Sequence, residues 1–307
     1  MHYKAKNLIV ILGPTGVGKS SIAVKLSKET GGEIINCDSM QVYKGFDIGT
    51  DKIPPDKREG IPHHLLDVAD PSSQFTAADF VDLAIKAADS IMKRKRLPVI
   101  VGGTGLYLKA LIDGLFPGGK SNPSLRRKLE KEAREKGLER LREKLMKVDP
   151  VYCQKIHSND KVRIIRALEV YLSTKKPISA HFSDTQSAVE DFNIIKIGLK
   201  LRRQELNTRI EQRACKMFER GLIQEVENLL QKGTDENSPP FRALGYKHAL
   251  QFLKKEISLE EAISLTKRNT RHYAKRQMTW FRKMKGIEWF SPEEYSSIVK
   301  HVKDSLV

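Results

Sequence analysis

The stretch that decides the fold is GPTGVGKS, residues 13–20, which lies between an apolar run at 7–12 and a helical pattern at 21–29. It fits G-x-x-x-x-G-K-[ST] at every defined position and has the strand-before, helix-after context that this motif requires. In such a loop, backbone N–H groups point inward around phosphate oxygens, and the N-terminus of the next helix adds positive potential. The sequence therefore predicts a phosphate-binding loop, or P-loop, for a di- or triphosphate.

Each residue of this loop is a candidate ligand for the phosphate. The expected diphosphate-binding residues are Gly13, Pro14, Thr15, Gly16, Val17, Gly18, Lys19 and Ser20. Lys19 adds a mobile positive charge, and the Ser20 hydroxyl is the expected protein ligand for Mg²⁺.

Strand and helix patterns alternate around the P-loop. We predict further strands at 33–38, 98–101 and 194–201, and a helix at 76–93. Alternating strands and helices favour a parallel sheet covered on both faces, which makes the fold α/β. Over residues 120–185 the sequence pattern becomes helical and rich in charged residues. Further helical patterns follow residue 201, and one of them runs from Ser258 to about Lys285. We therefore predict a P-loop core in two parts, 1–119 and 186–307, with an all-helical insertion at 120–185 and a helical C-terminal region.

Composition excludes several protein classes. The chain has 307 residues, 39% hydrophobic and 30% charged, which is typical of a folded globular protein rather than a disordered one. No apolar run approaches the roughly 18–20 residues that a bilayer span needs, so we expect no membrane association and a cytoplasmic location. The three cysteines are far apart, which argues against a structural zinc site or a disulfide framework.

The positive charge is concentrated in two segments. The net charge is +17, and residues 120–184 carry 17 basic and 9 acidic side chains (+8), while residues 242–286 carry 12 basic and 3 acidic ones (+9). Two basic segments suit a polyanion that is held from two sides, although two solvated faces would give the same counts.

The P-loop alone does not specify a reaction. Many P-loop enzymes place an acidic residue at the end of a neighbouring strand, but the run at 98–101 ends in Gly102-Gly103-Thr104. The acidic residue that closes a predicted strand is Asp38. Nucleotide kinases vary at this position, so the sequence predicts a bound diphosphate and leaves the chemistry open.

Seven ordered blocks carry a family resemblance. They are GPTGVGKS, CDSMQVYKGFDIGT (37–50), IPHHLLDV (61–68), VGGTGLYLKAL (101–111), RALEV (166–170), RALGYK (242–247) and KRQMTWFR (275–282). Together they resemble the bacterial tRNA dimethylallyltransferases, over roughly residues 7–282. That family transfers an isopentenyl group from dimethylallyl diphosphate to the adenosine next to the anticodon.

The resemblance implies a channel through the core, with the isoprenoid diphosphate entering one mouth and the adenine of a tRNA anticodon stem-loop entering the other. The P-loop then cradles a leaving diphosphate, with Lys19 and Mg²⁺ on Ser20 stabilising its departure. An adenine amino group is a poor nucleophile, so Asp38 is the expected base or hydrogen-bond acceptor. Thr104 is implied to line the channel near the adenine. Arg209 and Arg213 are candidates for the diphosphate, with a surface arginine pair as the alternative.

The resemblance also implies the tRNA contacts, and we expect the protein to act as a monomer. The expected tRNA-binding residues are Asp38, Ser39, Met40, Gln41, Thr104, Arg126, Val162, Arg163, Ile164, Ile165, Arg166, Arg242, Ala243, Leu244, Gly245, Tyr246, Lys247, Lys275, Arg276, Gln277, Met278, Thr279, Trp280, Phe281 and Arg282. Of these, Met40, Tyr246 and Trp280 are candidates to fill the space that a flipped adenine leaves behind.

Three other functions remain open at this stage. An adenylate isopentenyltransferase would use the same donor with a free nucleotide acceptor, but it would not need the basic insertion. A P-loop small-molecule kinase would consume ATP, and an RNA-binding module would use the P-loop as a regulatory switch.

Overall fold

The computed structural model of the chain describes residues 6–115 and 122–306. The chain divides into two compact units, Met1–Ala110 with Val189–Val307 as the first and Leu111–Ala188 as the second. The predicted insertion, residues 120–185, lies within the second unit. We refer to the first unit as the core unit and to the second as the helical unit.

The core unit is built on a six-stranded parallel sheet. Its strands are β1 (Lys6–Leu12), β2 (Gly32–Cys37), β3 (His63–His64), β4 (Leu97–Gly102), β5 (Phe192–Leu199) and β6 (Ile287–Phe290). They lie in the order β3-β2-β4-β1-β5-β6, and each neighbouring pair is parallel. The predicted α/β fold with a parallel sheet is therefore confirmed.

Burial explains why β1, β2, β4 and β5 could be predicted from the sequence. Every residue of β2 and β4 is buried, and β1 is buried after its first residue, because parallel strands are covered on both faces. The short edge strands β3 and β6 were not predicted. They have two and four residues, which is too few for a hydrophobic pattern to show.

Helices α1 (Lys19–Thr30), α2 (Ala77–Lys93) and α3 (Gly105–Ile112) follow β1, β3 and β4 along the chain. Thr76 and Asp79 form a reciprocal capping box that fixes the start of α2, since each side chain accepts from the backbone N–H of the other residue. Gly31 ends α1 in the left-handed conformation.

The helical unit contains α4 (Pro123–Lys136), α5 (Leu138–Val148), α6 (Pro150–Lys155) and α7 (Lys161–Thr174). These helices bury a shared hydrophobic core, in which Leu141, Leu145 and Ile164 are fully inaccessible to solvent. Besides these helices, the described residues of the unit form a 3-10 segment and an isolated antiparallel bridge that pairs Leu115 with Gln186.

The C-terminal part of the core unit contributes α8 (Arg203–Glu219), α9 (Leu222–Gln231), α10 (Leu244–Leu253), α11 (Leu259–Phe281) and α12 (Tyr295–Ser305). The prediction that α11 extends to about Lys285 is wrong. It ends at Phe281 because the amides of Lys283 and Met284 bond carbonyls only three residues back, which tightens the chain into a turn that leads to β6.

A buried histidine on α10 makes the stability of the core unit depend on pH. His248 Nδ1 lies 2.9 Å from Thr266 Oγ1, and its Nε2 lies 3.1 Å from the side-chain nitrogen of Asn269. The amide of Asn269 donates, so Nε2 must accept and the ring must be neutral. Burial, with smaller contributions from the charges of Lys247 and Arg268, lowers the pKa of His248 to about 4.

We expect the free energy of unfolding to fall as the pH drops from about 6.5 towards 4. In that range the unfolded chain binds a proton at His248 that the folded chain excludes, so acid favours unfolding. Urea denaturation at pH 7.5 and pH 5 measures this loss. His248→Gln should reduce the decrease in the free energy of unfolding between the two pH values by on the order of 1 kcal/mol. An equal decrease in the variant would show that His248 is not the group responsible.

Candidate active site

The P-loop connects β1 to α1 at the carboxyl edge of the sheet. Its lysine is held by its own loop, because Lys19 Nζ donates to the carbonyl oxygens of Gly13 (3.0 Å) and Pro14 (2.9 Å). The pKa of Lys19 is lowered to about 8, chiefly by desolvation and next by the charge of Arg213, while Asp38 and Cys37 oppose the shift. An anion bound beside this ammonium group would stabilise its charged form.

Arg213 on α8 reaches the P-loop and is fixed at both ends of its guanidinium group. Nη2 donates to Thr15 Oγ1, and Nη1 donates to Asp51 Oδ2 at 3.1 Å. Nε is buried and has no hydrogen-bond partner among the described residues. A buried orphan donor is unfavourable without a ligand, so this side of the loop fits an anionic group.

The other predicted arginine has a different environment. Arg209 donates to Glu205 Oε1 on its own helix at 2.8 Å, and its guanidinium group lies near the position that a Cβ on Gly18 would occupy. Of the two candidates, Arg213 is therefore the one that hydrogen-bonds a P-loop side chain directly.

Asp38 and Thr104 follow neighbouring strands and meet at the same edge. Asp38 follows β2, and its Oδ1 accepts from the backbone N–H groups of Met40 (2.8 Å) and Gln41 (3.4 Å). Thr104 follows β4, and its Oγ1 accepts from the backbone N–H of Ser39 at 3.1 Å. These bonds orient Asp38 and leave its second oxygen, Oδ2, without a partner among the described residues, so that it can accept a proton or a hydrogen bond from a ligand.

Two cavities of the core unit meet at these residues. The first, of about 250 Å³, is lined by the P-loop, Asn36 and the 101–103 segment, and the second, of about 310 Å³, is lined by α8, α11 and the 242–245 segment. Each is close to the lower limit of ordinary ligand pockets, about 300 Å³. The residues that line both are Thr15, Asp38, Thr50, Arg213 and Tyr273. Ligands in the two cavities would therefore approach each other beside the carboxylate of Asp38.

Several predicted tRNA-binding residues line these cavities. Gln41 lines the first, and its side-chain nitrogen donates to the carbonyl of Thr50 at 3.0 Å. The second cavity is lined by Ser39, Met40, Arg242, Ala243, Leu244, Gly245 and Arg276.

Other predicted contacts are exposed on the surface of their own unit. In the core unit these are Lys247, Lys275, Arg276, Thr279, Trp280 and Arg282, and Met278 is half-buried. In the helical unit, Val162 and Arg163 are exposed at the start of α7, whereas Arg126 pairs with Glu130 and Arg166 with the buried Glu169.

Four predicted contacts have side chains in hydrophobic cores. Ile164 and Ile165 pack among the helices of the helical unit, and Phe281 is fully buried at the end of α11. Tyr246 packs against Phe46 and donates its hydroxyl to Glu225. The expectation that Tyr246 fills the space left by a flipped base is therefore wrong, because its ring already belongs to the core.

Two residues of this site were missed by sequence reasoning. Tyr273 lines both cavities, and its side chain lies near Thr104; burial raises its pKa. Asp51 orients Arg213. Their sequence signals are weak, since Tyr273 occupies one position on a long amphipathic helix and Asp51 lies in a loop.

Among the described residues, no three His, Cys, Asp or Glu side chains form a group that could hold a metal ion. No described helix combines the length and hydropathy that crossing a membrane requires.

Comparison with known proteins identifies the family. The model of the family described as IPP transferase matches residues 41–284. The chain is 46% identical to the tRNA dimethylallyltransferase of Acetivibrio thermocellus, with 97% of this chain and 96% of the relative covered. It is 49% identical to the tRNA dimethylallyltransferase of Carboxydothermus hydrogenoformans, with 93% and 92% covered.

The fold is also similar to solved structures of proteins with related names. The tRNA isopentenylpyrophosphate transferase of Bacillus halodurans superposes with a TM-score of 0.72 at 40% identity, covering 98% of this chain and 96% of that one. A eukaryotic dimethylallyltransferase acting on tRNA superposes with a TM-score of 0.80 at 32% identity, covering 98% and 73%. On this sequence and structural similarity, the chain belongs to the IPP transferase family.

Proposed function

We propose that the protein transfers a dimethylallyl group from dimethylallyl diphosphate to the exocyclic amine of the adenosine 3′ to the anticodon of tRNA, and that it releases diphosphate. The observation that carries this proposal is that the P-loop cavity and the α8–α11 cavity share Asp38, Thr15 and Arg213. A donor diphosphate and an acceptor base can then occupy separate cavities and react where these meet.

The donor end of the site suits a diphosphate leaving group. Lys19, the orphan Nε–H of Arg213 and the amides of the P-loop supply positive charge where negative charge grows as the allylic C–O bond breaks. Both cations are already held in place by hydrogen bonds, so little reorganisation is needed when the ligand binds. This preorganisation favours departure of diphosphate.

The acceptor end suits an adenine amino group. As the nitrogen of the amine attacks the allylic carbon, the N–C bond forms, the C–O bond breaks and the amine must lose a proton. Asp38 Oδ2 is the proposed acceptor of that proton, because Oδ1 is occupied by the amides of Met40 and Gln41. Tyr273, which lines both cavities, and its neighbour Thr104 would orient the base.

The site fits Mg²⁺ only together with the substrate. The Ser20 hydroxyl is exposed at the first cavity, but the described residues form no carboxylate cluster that would hold an ion by itself. Mg²⁺ usually takes one or two protein ligands and shares the phosphate oxygens of its substrate. We propose that Ser20 holds it in this way, where it would neutralise charge on the diphosphate.

The proposed RNA-binding surface is basic in both units. Residues 120–184 carry a net charge of +8 and residues 242–286 carry +9. Exposed side chains on α11 and at the start of α7 are the proposed contacts with the anticodon stem-loop. We propose that a single copy of the chain carries the complete site.

The reaction is tested by mixing the protein with unmodified tRNA, AMP, radiolabelled dimethylallyl diphosphate and Mg²⁺, without ATP. Label in tRNA supports the proposal. Label in AMP identifies an adenylate isopentenyltransferase. A kinase or an RNA-binding module would leave both unlabelled.

We expect Asp38→Asn to lower kcat for transfer by about 10²–10⁴-fold, because the amide keeps the Oδ1 acceptor but cannot take the proton. Binding of the anticodon stem-loop should change less than twofold. Steady-state kinetics and fluorescence anisotropy measure the two quantities. Asp70→Asn, at an exposed turn, is the matched control. Normal turnover with weakened RNA binding would contradict the role of Asp38.

We expect Arg163→Ala to weaken binding of the stem-loop and to reduce the slope of log Kd against log salt concentration by about 1, the value of one lost phosphate contact. Arg163 is more than half exposed and lies at the start of α7. Lys303→Ala, at an exposed position of α12, removes the same charge outside the proposed surface. Equal slopes for the two variants would place the phosphate contact elsewhere.

A further inference from the structure

One face of α11 lies along the loop that follows β4, residues 102–105, which we call the acceptor loop. Tyr273 lies near Thr104, and the indole of Trp280 packs on Gly105. Gln277 lies between them, and the spacing 273, 277, 280 places all three side chains on the same side of the helix.

Gln277 contacts two loops at once with its side-chain amide. Oε1 accepts from the backbone N–H of Thr15 in the P-loop, and Nε2 donates to the carbonyl of Gly103 in the acceptor loop, both at 2.8 Å. Gln277 is buried, at 5% exposure. The fit is close, since a Cβ added to Gly103 would lie 2.3 Å from Nε2. Residue 103 is therefore in direct contact with the amide and has no room for a side chain.

These two bonds occur where the sheet stops connecting the loops. The register between β1 and β4 runs from Ile9 opposite Val99 to Leu12 opposite Gly102 and ends there. Beyond this point the P-loop and the acceptor loop leave the ladder and need another connection. The amide of Gln277 supplies one acceptor and one donor, which match the free N–H of Thr15 and the free C=O of Gly103.

The connection determines where reactive groups lie. Thr15 also receives a hydrogen bond from Arg213, and Gly103 immediately precedes Thr104. Gln277 therefore connects the loop that faces the diphosphate to the loop that faces the acceptor base.

We propose that Gln277 is a positioning residue that holds the P-loop and the acceptor loop in register, so that donor and acceptor meet at reactive distance. This inference rests on the proposed function and replaces the expectation that the side chain of Gln277 contacts tRNA. The glutamine amide suits both bonds, because a glutamate carboxylate cannot donate to Gly103 and the methionine thioether cannot donate and is only a weak acceptor.

The test compares Gln277→Met and Gln277→Glu with the wild-type protein and with Gln224→Met, a control at an exposed glutamine of α9 whose amide bonds Asn228. The measurements are kcat and KM for dimethylallyl diphosphate, the Kd of unmodified anticodon stem-loop, and the Kd of inorganic pyrophosphate with Mg²⁺ by calorimetry. All are made at a temperature where circular dichroism shows every variant to be fully folded.

We expect both Gln277 variants to lower kcat by about 10–100-fold, the cost of small misalignments of reactants, and to weaken pyrophosphate binding at least threefold. The Kd of the stem-loop should stay within twofold of wild type, and the control should match wild type in every measurement. A merely structural role would leave kcat unchanged for folded protein.

Two results would overturn the inference. One is a raised Kd for the stem-loop with normal kcat, which would make Gln277 an RNA contact. The other is unchanged pyrophosphate affinity together with unchanged kcat and KM. If the wild-type protein itself transfers no label, the proposed function fails, and the pyrophosphate measurement alone still decides whether Gln277 supports the P-loop: unchanged affinity refutes it.

Discussion

The whole site depends on the close approach of β2 to β4 at Gly102. A Cβ at this position would lie 1.9 Å from the carbonyl oxygen of Cys37, so any side chain there would force the two strands apart. Gly102 also ends the register with β1, opposite Leu12. The three loops that follow these strands carry Lys19, Asp38 and Thr104. Because parallel strands end at the same edge, one backbone contact brings all three side chains together.

The charges at this edge form a balanced set. The charge of Arg213 disfavours the charged form of Lys19, the carboxylate of Asp38 favours it, and Asp51 forms an ion pair with Arg213. Such a set is stable without a ligand, yet it leaves the Nε–H of Arg213 unsatisfied. A bound diphosphate would neutralise the positive charge of Lys19 and Arg213 directly.

The sequence allowed the parts of this site that are local in the chain to be predicted. The P-loop is a continuous motif, and Asp38 and Thr104 stand where predicted strands end. The amide of Gln277 could not be assigned in this way, because its partner Thr15 lies 262 residues away. The stretches expected to bind tRNA also contain core and surface residues side by side: Ile164 and Phe281 are buried, whereas their neighbours Arg163 and Arg282 are exposed. Only the packing of the folded chain distinguishes the buried residues from the exposed ones.

Helix α11 shows why that separation matters for function. Gln277 is buried against two loops of the site, while Lys275 and Arg276, within two residues of it, are exposed. One helix therefore carries, on its exposed face, residues proposed to contact RNA and, on its buried face, the amide that connects the P-loop with the acceptor loop.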